Sequence, residues 1–123
     1  MYRILVEGQF SAAHAIRGHQ GPCCQLHGHN YRVEITVAGP ETGADGMLMD
    51  FGEIKQVCDE VLGELDHRCL NDLPAFASDN VTSENLARYI FQAMATRLMD
   101  GTVRVSRVRL WETEGSSVTY WEE

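Results

Sequence analysis

The sequence predicts an α+β domain in which two helices cover one face of a four-stranded antiparallel sheet. Three observations lead to this prediction: apolar and polar side chains alternate near both ends of the chain, apolar residues recur at helical spacing in its middle, and turn residues separate the segments. The predicted order is strand, strand, helix, helix, strand, strand. Because 123 residues suit one compact core, we treat residues 1–123 as a single domain.

The first two strands are predicted from a period of two. Between Arg3 and His14 the apolar side chains occupy the even positions, and Leu5 is the exception on the polar face. A second alternation runs from His27 to Val37, after a connector rich in Gly, His, Gln and Pro. Such alternation is typical of a strand with one buried face, so we expect each strand to turn one face towards the core.

Two helices follow these strands. The apolar positions between 51 and 65 have helical spacing, and Asp50 is placed to begin a capping box. The second helix is expected to start at Thr82 or Ser83 and to stop at Asp100-Gly101. Each helix has an apolar stripe, which predicts that both helices pack against the sheet.

Two further strand patterns occupy residues 102–113 and 118–122. The parity of the apolar positions shifts between Val105 and Val108, which predicts a β-bulge near Ser106. A four-stranded sheet has two free edges, and free edges invite pairing with another chain. We therefore expect a homo-oligomer.

The charge balance and the apolar runs exclude several classes of function. Ten basic and 18 acidic side chains give a net charge of −8, and the sequence has no block of Lys or Arg. A nucleic-acid surface needs clustered cations, so nucleic acid is not an expected partner. The apolar runs are too short for a membrane span, and the first residues do not form a secretory signal. We therefore interpret the four cysteines as thiols and expect a cytoplasmic protein.

Three histidines occupy positions from which they could bind one metal ion. His27 and His29 are two residues apart on a strand, so their side chains project to the same side. His14 ends the preceding strand on its apolar face, and the connector can bring it beside that pair. Three imidazoles suit Zn²⁺ and leave a fourth coordination position for water or substrate. The alternative is a packed strand end that binds no metal.

A thiol lies close to these histidines in the sequence. Cys23 precedes His27 by four residues. A nearby dication and histidine would stabilise its thiolate, so Cys23 is a candidate proton-abstracting base. The competing interpretation is that Cys23 or Cys24 completes a closed His₃Cys site with a structural role. Cys58 belongs to the apolar stripe of the first helix and is expected in the core.

Two further groups are candidates for the site. Asp66-His67 is expected to close the first helix, where it could act as an acid/base pair or serve only as a helix cap. Glu112 continues the apolar face of Val108 and Leu110, which would place a carboxylate inside the sheet. A planar ring with an amidine-like N–H edge would satisfy that carboxylate. The alternative is that the strand end lets Glu112 reach water.

Six short motifs occur in order along nearly the whole chain: Ala12-Ala13-His14, Cys23-x-x-x-His27-Gly28-His29-Asn30, Met49-Asp50-Phe51, Leu65-Asp66-His67-x-x-Leu70-Asn71, Thr82-Ser83-Glu84-Asn85 and Trp111-Glu112-Thr113. Together they resemble the 6-pyruvoyl-tetrahydropterin synthase / 6-carboxytetrahydropterin synthase family. The four-residue step from Cys23 to His27 is most similar to the bacterial 6-carboxytetrahydropterin synthases of queuosine biosynthesis.

The resemblance implies a tunnelling fold, in which subunits associate into barrel-like rings such as those of a hexamer, with active sites between subunits. It also implies a role for each candidate residue: Zn²⁺ binding by His14, His27 and His29, proton abstraction by Cys23, a second acid/base pair in Asp66 and His67, and anchoring of the pterin ring by Glu112.

The implied substrate is 7,8-dihydroneopterin triphosphate, and the implied products are 6-carboxy-5,6,7,8-tetrahydropterin, acetaldehyde and triphosphate. Three alternatives stay open: a 6-pyruvoyl-tetrahydropterin synthase that keeps the side chain, an aldolase that cleaves dihydroneopterin, and a non-catalytic pterin-binding oligomer stapled by Zn²⁺.

Three positions depart from the family pattern. Cys24 duplicates the thiol, Gln25 replaces a frequent basic residue, and Val81 replaces a frequent proline. The change at position 25 leaves the triphosphate contacts to other cations, of which the candidates are Arg17, His19 and Arg68.

Overall fold

A computed structural model of the chain describes residues 1–18, 21 and 25–123. Cys23, Cys24 and His19 lie outside these residues. Two single-turn 3₁₀ helices, Leu70–Asp72 and Pro74–Phe76, precede the second long helix. The other regular elements of the described residues are β1 (Tyr2–His14), β2 (His27–Gly39), α1 (Phe51–Gly63), β3 (Arg68–Cys69), α2 (Ser83–Leu98), β4 (Arg104–Thr113) and β5 (Ser116–Tyr120).

The strands form one mixed sheet in the order β3-β1-β2-β4-β5. β1 and β2 are antiparallel over their whole length, and the ladder ends where His14 lies opposite His27. β4 and β5 continue the antiparallel part, whereas β3 runs parallel to β1 beside Ala12 and Ala13. The α+β class is as predicted, but the prediction of four antiparallel strands missed β3. Two residues are too few to give an alternating pattern.

Both helices begin where the sequence predicts. Asp50 Oδ1 accepts a hydrogen bond from the Gly52 N–H at 2.8 Å, and Thr82 Oγ1 accepts one from the Asn85 N–H at 3.1 Å. α2 ends at Leu98, close to the predicted stop. Among the described residues, no helix has the length and apolar character needed to cross a bilayer.

The core lies between the helices and one face of the sheet. α1 packs mainly against β1, and α2 packs against β4 and β5. Full burial of a large apolar side chain stabilises a fold by about 1.5–3 kcal/mol, so this layer holds the strands in place. Its largest fully buried apolar side chains are Tyr31, Ile35, Ile54, Leu65, Leu70, Leu86, Ile90, Met94 and Leu110.

Two β-bulges interrupt the ladders of β4. Thr36 lies opposite Arg107 and Val37 lies opposite Val105, so Ser106 is the extra residue and the predicted bulge is confirmed. The second bulge lies in the pairing with β5, where Glu112 is the residue without an opposite partner. This second bulge was not predicted, and it involves a candidate site residue.

Gly8 in β1 allows α1 to approach the sheet closely. A Cβ atom at this position would lie 2.7 Å from Leu62 Cδ1 and 3.0 Å from Cys58 Sγ, and both side chains are buried in α1. At Gly63, the last residue of α1, a Cβ atom would meet nothing within 4 Å. The two glycines therefore offer a matched pair of alanine substitutions.

We expect Gly8→Ala to lower the free energy of unfolding by about 1–3 kcal/mol, because α1 or its side chains must shift to admit the methyl group. Gly63→Ala adds the same methyl group to open space, and we expect it to leave stability unchanged or raise it by up to about 1 kcal/mol. Urea unfolding followed by circular dichroism measures both values. Equal stability of the two variants would contradict the close approach.

Candidate metal centre and active site

Three histidines and one carboxylate converge at one end of the sheet. His14 comes from the end of β1, His27 and His29 come from the start of β2, and Glu112 comes from the bulge in β4. One potential ligand atom from each residue lies within 4.8 Å of all the others. The structure thus brings together all three histidines that the sequence singled out, and it adds Glu112 to the group.

Backbone carbonyls fix the orientation of two of the imidazoles. His14 Nδ1 lies 2.7 Å from the Val81 carbonyl oxygen, and His27 Nδ1 lies 2.7 Å from the Gln25 carbonyl oxygen. Carbonyl oxygens only accept hydrogen bonds, so each Nδ1 carries a proton and each Nε2 is left free to act as a ligand. The two Nε2 atoms face each other at 3.1 Å. This contact is stable only with a proton or a metal ion between the nitrogens.

His29 contributes a buried nitrogen with no hydrogen-bond partner among the described residues. Its Nε2 lies 2.9 Å from Glu112 Oε1, but the contact is not aligned as a hydrogen bond. Burial is the main cause that lowers the pKa of His29; Glu112 opposes this shift, and the neighbouring His14 and His27 add to it. The imidazole is therefore neutral at pH 7, which is the form that binds metal ions.

Glu112 has contacts for both carboxylate oxygens. Oε2 accepts a hydrogen bond from the Ser83 hydroxyl, and Oε1 is the oxygen beside His29. The side chain is 26% exposed, so it is neither fully buried nor freely solvated. Ser83 was predicted only as a possible helix cap. Its proximity to Glu112 depends on how α2 packs against β4, and the sequence gives no direct signal of that contact.

Tyr31 also borders the cluster, although it was not among the candidate site residues. It is completely buried, its hydroxyl oxygen lies 3.4 Å from His14 Nδ1, and its ring stacks on Phe10 with a centroid separation of 4.7 Å. Burial raises the pKa of the phenol far above its usual value of 10.0. The Tyr31 phenol is therefore neutral, and its side chain borders the site. Its position two residues after His29 on the same strand face was the available signal.

Asp66 and His67 form a pair, but they do not close α1 as predicted. α1 ends at Gly63, and the two residues lie in the turn that leads to β3. The apolar pattern extended further because Leu65 is buried without belonging to the helix. His67 has a φ of 57°, a left-handed conformation that is uncommon for residues other than glycine.

Hydrogen bonds to β1 hold this pair in place. Asp66 Oδ1 accepts from the Ser11 N–H at 2.8 Å, and the His67 N–H donates to the Ser11 carbonyl oxygen at 2.6 Å. Asp66 Oδ2 lies 2.8 Å from His67 Nδ1. The bond from Ser11 is the largest cause that lowers the pKa of Asp66, followed by the bond from His67. Asp66 is thus an anion that orients an imidazole whose side chain is 83% exposed.

Asp66 and His67, the predicted acid/base pair, are separate from the histidine cluster within one chain. Neither Asp66 nor His67 belongs to the group of converging ligand atoms. An open cavity of about 410 Å³ nevertheless has both His29 and His67 in its lining. Cys23, the predicted base, lies outside the described residues. The rest of the cavity lining is Ser11, Ala12, Ala13, Gly28, Asn30 and Arg68.

The donor set of the cluster fits a divalent cation. It offers imidazole nitrogens, one of which is buried and has no hydrogen bond among the described residues, and a carboxylate that would offset positive charge. Imidazole and carboxylate are common ligands of Zn²⁺ and related metals. The group formed by His14, His27, His29 and Glu112 could therefore bind a metal ion.

Comparison with known proteins identifies the family of this chain. A family model described as 6-pyruvoyl tetrahydropterin synthase matches residues 3–123. The chain therefore belongs to the 6-pyruvoyl tetrahydropterin synthase family. The 6-carboxy-5,6,7,8-tetrahydropterin synthase of Synechocystis is 35% identical to it, with 98% of this chain and 94% of the relative covered. The dihydroneopterin monophosphate aldolase of Pyrococcus furiosus is 39% identical, with 89% of each chain covered.

A solved structure supports the predicted fold. The 6-pyruvoyl tetrahydropterin synthase of Caenorhabditis elegans matches this chain with a TM-score of 0.90 at 27% identity, covering 99% of this chain and 96% of that one. The predicted membership of the family and the predicted tunnelling fold are confirmed. Relatives that carry the name of a tetrahydropterin synthase also agree with the predicted enzyme class.

We expect His27→Ala to abolish stoichiometric binding of a divalent metal ion, because it removes one of the two facing Nε2 atoms. His67→Ala is the matched control: it removes an exposed imidazole outside the cluster and should leave the metal content unchanged. Elemental analysis of the purified variants, after dialysis against Zn²⁺ and then against buffer, measures the content. Equal metal content in both variants would contradict the assignment of the cluster.

Proposed function

We propose that the protein is a Zn²⁺-dependent 6-carboxytetrahydropterin synthase that acts in queuosine biosynthesis. It converts 7,8-dihydroneopterin triphosphate into 6-carboxy-5,6,7,8-tetrahydropterin, acetaldehyde and triphosphate, with one water consumed. The observation that carries the proposal is the convergence of His14, His27 and His29 beside Glu112 in a chain of this family. The name of the Synechocystis relative supports the choice of product.

His14, His27 and His29 would hold Zn²⁺ through nitrogen atoms. When bound, the ion lowers the pKa of substrate hydroxyls and polarises a developing carbonyl group. The partial burial of His29 favours its neutral imidazole, so metal binding does not have to displace a proton from it at pH 7.

Proton transfer is assigned to Cys23 and to the pair formed by Asp66 and His67. Cys23 removes a proton from the substrate side chain, and His67, oriented by Asp66, returns one at another position. Tautomerisation moves reducing equivalents from the side chain into the ring, so the reaction uses no separate redox cofactor. Cys58 is not suited to the role of base, because burial raises its pKa to about 11.

Glu112 is proposed to anchor the pterin. The guanidine-like edge of a pterin presents two parallel N–H groups, which a carboxylate accepts in bidentate fashion. The hydrogen bond from Ser83 restricts rotation of the carboxylate and so favours one orientation of the ring. Arg68 lines the cavity beside His67 and is the favoured cation for the triphosphate, whereas Arg17 already donates to the Asp79 carbonyl oxygen.

A ring of subunits is part of the proposal. β1 pairs with β3 only beside Ala12 and Ala13, so most of this edge has no strand partner among the described residues. Asp66 and His67 lie along the same edge, bonded to Ser11. A second copy that pairs there, as in a hexameric ring, would place this acid/base pair next to another subunit. The active site would then lie between subunits in a cytoplasmic homo-oligomer.

A second candidate function is the cleavage of dihydroneopterin monophosphate. The 39% identity to the Pyrococcus furiosus aldolase is the observation that favours it. A retro-aldol reaction would break the bond between the first and second carbons of the side chain. It would leave a hydroxymethyl pterin and a two-carbon aldehyde that carries the phosphate, with no change in the oxidation level of the ring.

Product analysis tests the proposal directly. We expect the Zn²⁺-loaded protein to release acetaldehyde and triphosphate from 7,8-dihydroneopterin triphosphate, with a carboxypterin detected by mass spectrometry. A pterin that keeps three side-chain carbons would identify a 6-pyruvoyl-tetrahydropterin synthase instead. Phosphorylated glycolaldehyde from the monophosphate would identify an aldolase. Absence of turnover with both substrates would overturn the enzymatic proposal.

We expect Cys23→Ala to reduce turnover by about 10²–10⁴-fold, because it removes a general base, and to leave Zn²⁺ bound. Cys24→Ala is the matched control: it removes the neighbouring thiol, and we expect it to retain turnover. Steady-state kinetics and metal analysis on the same samples give both quantities. Loss of Zn²⁺ together with the fold in Cys23→Ala would favour the closed His₃Cys staple.

A further inference from the structure

The chain that follows β1 is held by two asparagine side chains instead of by a neighbouring strand. Asn71 Oδ1 accepts from the Ala15 N–H at 2.8 Å, and Asn71 Nδ2 donates to the Ala15 carbonyl oxygen at 2.9 Å. Asn80 repeats the arrangement on Arg17, with distances of 2.8 Å and 2.7 Å. Each carboxamide thus supplies one donor and one acceptor, as a residue of a paired strand would.

Asn80 belongs to a segment whose successive carbonyl oxygens are all occupied. The Asp79 oxygen accepts from Arg17 Nη2 at 2.9 Å, and the Asn80 oxygen accepts from Asn85 Nδ2 at 2.9 Å. The Val81 oxygen accepts from His14 Nδ1 at 2.7 Å. Residues 79–81 therefore connect the chain after β1, in space, with the start of α2. Among them, Val81 supplies the carbonyl that orients His14, a candidate metal ligand.

These contacts couple the asparagine to the imidazole. The two bonds from the Asn80 side chain fix residues 79–81 against Arg17, three residues after His14. If that attachment is lost, residues 79–81 keep only the bonds from Arg17 Nη2 and Asn85, and the Val81 carbonyl is held less firmly on His14 Nδ1. The imidazole could then rotate or carry its proton on Nε2, and a protonated Nε2 cannot bind a metal ion.

We propose that Asn80 is a positioning residue of the metal centre. Its two hydrogen bonds to the backbone of Arg17 keep the Val81 carbonyl oxygen on His14 Nδ1. This inference rests on the metal site of the proposed function and adds a residue outside its ligands. Partners that orient metal-binding histidines commonly change metal affinity by about 10–100-fold when they are removed.

Asn80→Ala tests the inference, with Asp79→Ala as the matched control. Asp79 contributes its backbone carbonyl to the contact with Arg17, and within the described part of the chain its half-exposed side chain pairs only with Arg88, at 3.8 Å. We expect Asn80→Ala to weaken Zn²⁺ binding by about 10–100-fold and Asp79→Ala to change it by less than about twofold. Competition with a chromogenic chelator measures both affinities on the full chain.

Two further measurements separate positioning from a loss of stability. The absorption spectrum of the Co²⁺-loaded protein reports ligand geometry, and we expect it to change in Asn80→Ala and not in Asp79→Ala. Asn80→Asp keeps an acceptor for the Arg17 N–H and loses the donor to its carbonyl, so its affinity should lie between those of the wild type and Asn80→Ala. A purely structural role would lower the melting temperature of metal-free Asn80→Ala without changing the affinity of the folded protein.

The outcomes distinguish this inference from the proposed function. Wild-type affinity and an unchanged Co²⁺ spectrum in both Asn80 variants would overturn the positioning role and leave the metal site intact. An equal loss of affinity in Asp79→Ala would also overturn it, because the Asp79 side chain makes none of the bonds to residues 14–17. Failure of the wild-type chain to bind Zn²⁺ or Co²⁺ would overturn both proposals.

Discussion

The antiparallel register between β1 and β2 is the constraint on which the candidate site depends. It places His14 opposite His27 at the last pair of the ladder, with His29 two residues along the same face. A slip of one residue would turn the side chains of β2 to the other face of the sheet. The buried side chains from Tyr31 to Val37 oppose such a slip, so burial of the core also determines where the histidines meet.

The sequence was sufficient to predict the features that depend on local periodicity. Alternation predicted both long strands and the shared face of the three histidines. The parity shift in β4 predicted the bulge at Ser106, because an extra residue reverses which side chains point inwards. Short polar side chains before an apolar run predicted caps at Asp50 and at Thr82 or Ser83, and the caps are Asp50 and Thr82. Asp66 and His67 were candidates because of their predicted place at the end of the first helix and because of the family motif, but they lie in the turn after α1.

Features that depend on contacts between distant segments could not be predicted in this way. The carbonyl of Val81 reaches His14 across 67 positions of sequence, and the hydroxyl of Ser83 reaches Glu112 across 29. Neither contact leaves a periodic trace. β3 was missed because it is two residues long, and the end of α1 was misplaced because Leu65 continues the apolar pattern after the helix has stopped. The role of Cys23 stays a prediction.

The bulge at Glu112 separates the carboxylate from the hairpin that follows it. Because the extra residue has no opposite partner in β5, the turn at Glu114 and Gly115 is joined to the ladder through Thr113 and not through Glu112 itself. Insertions or deletions in that turn would act first on the pair of Thr113 with Ser116 and not on the carboxylate. The hairpin is therefore a place where a change of loop length, or a grafted loop, would disturb the histidine cluster little.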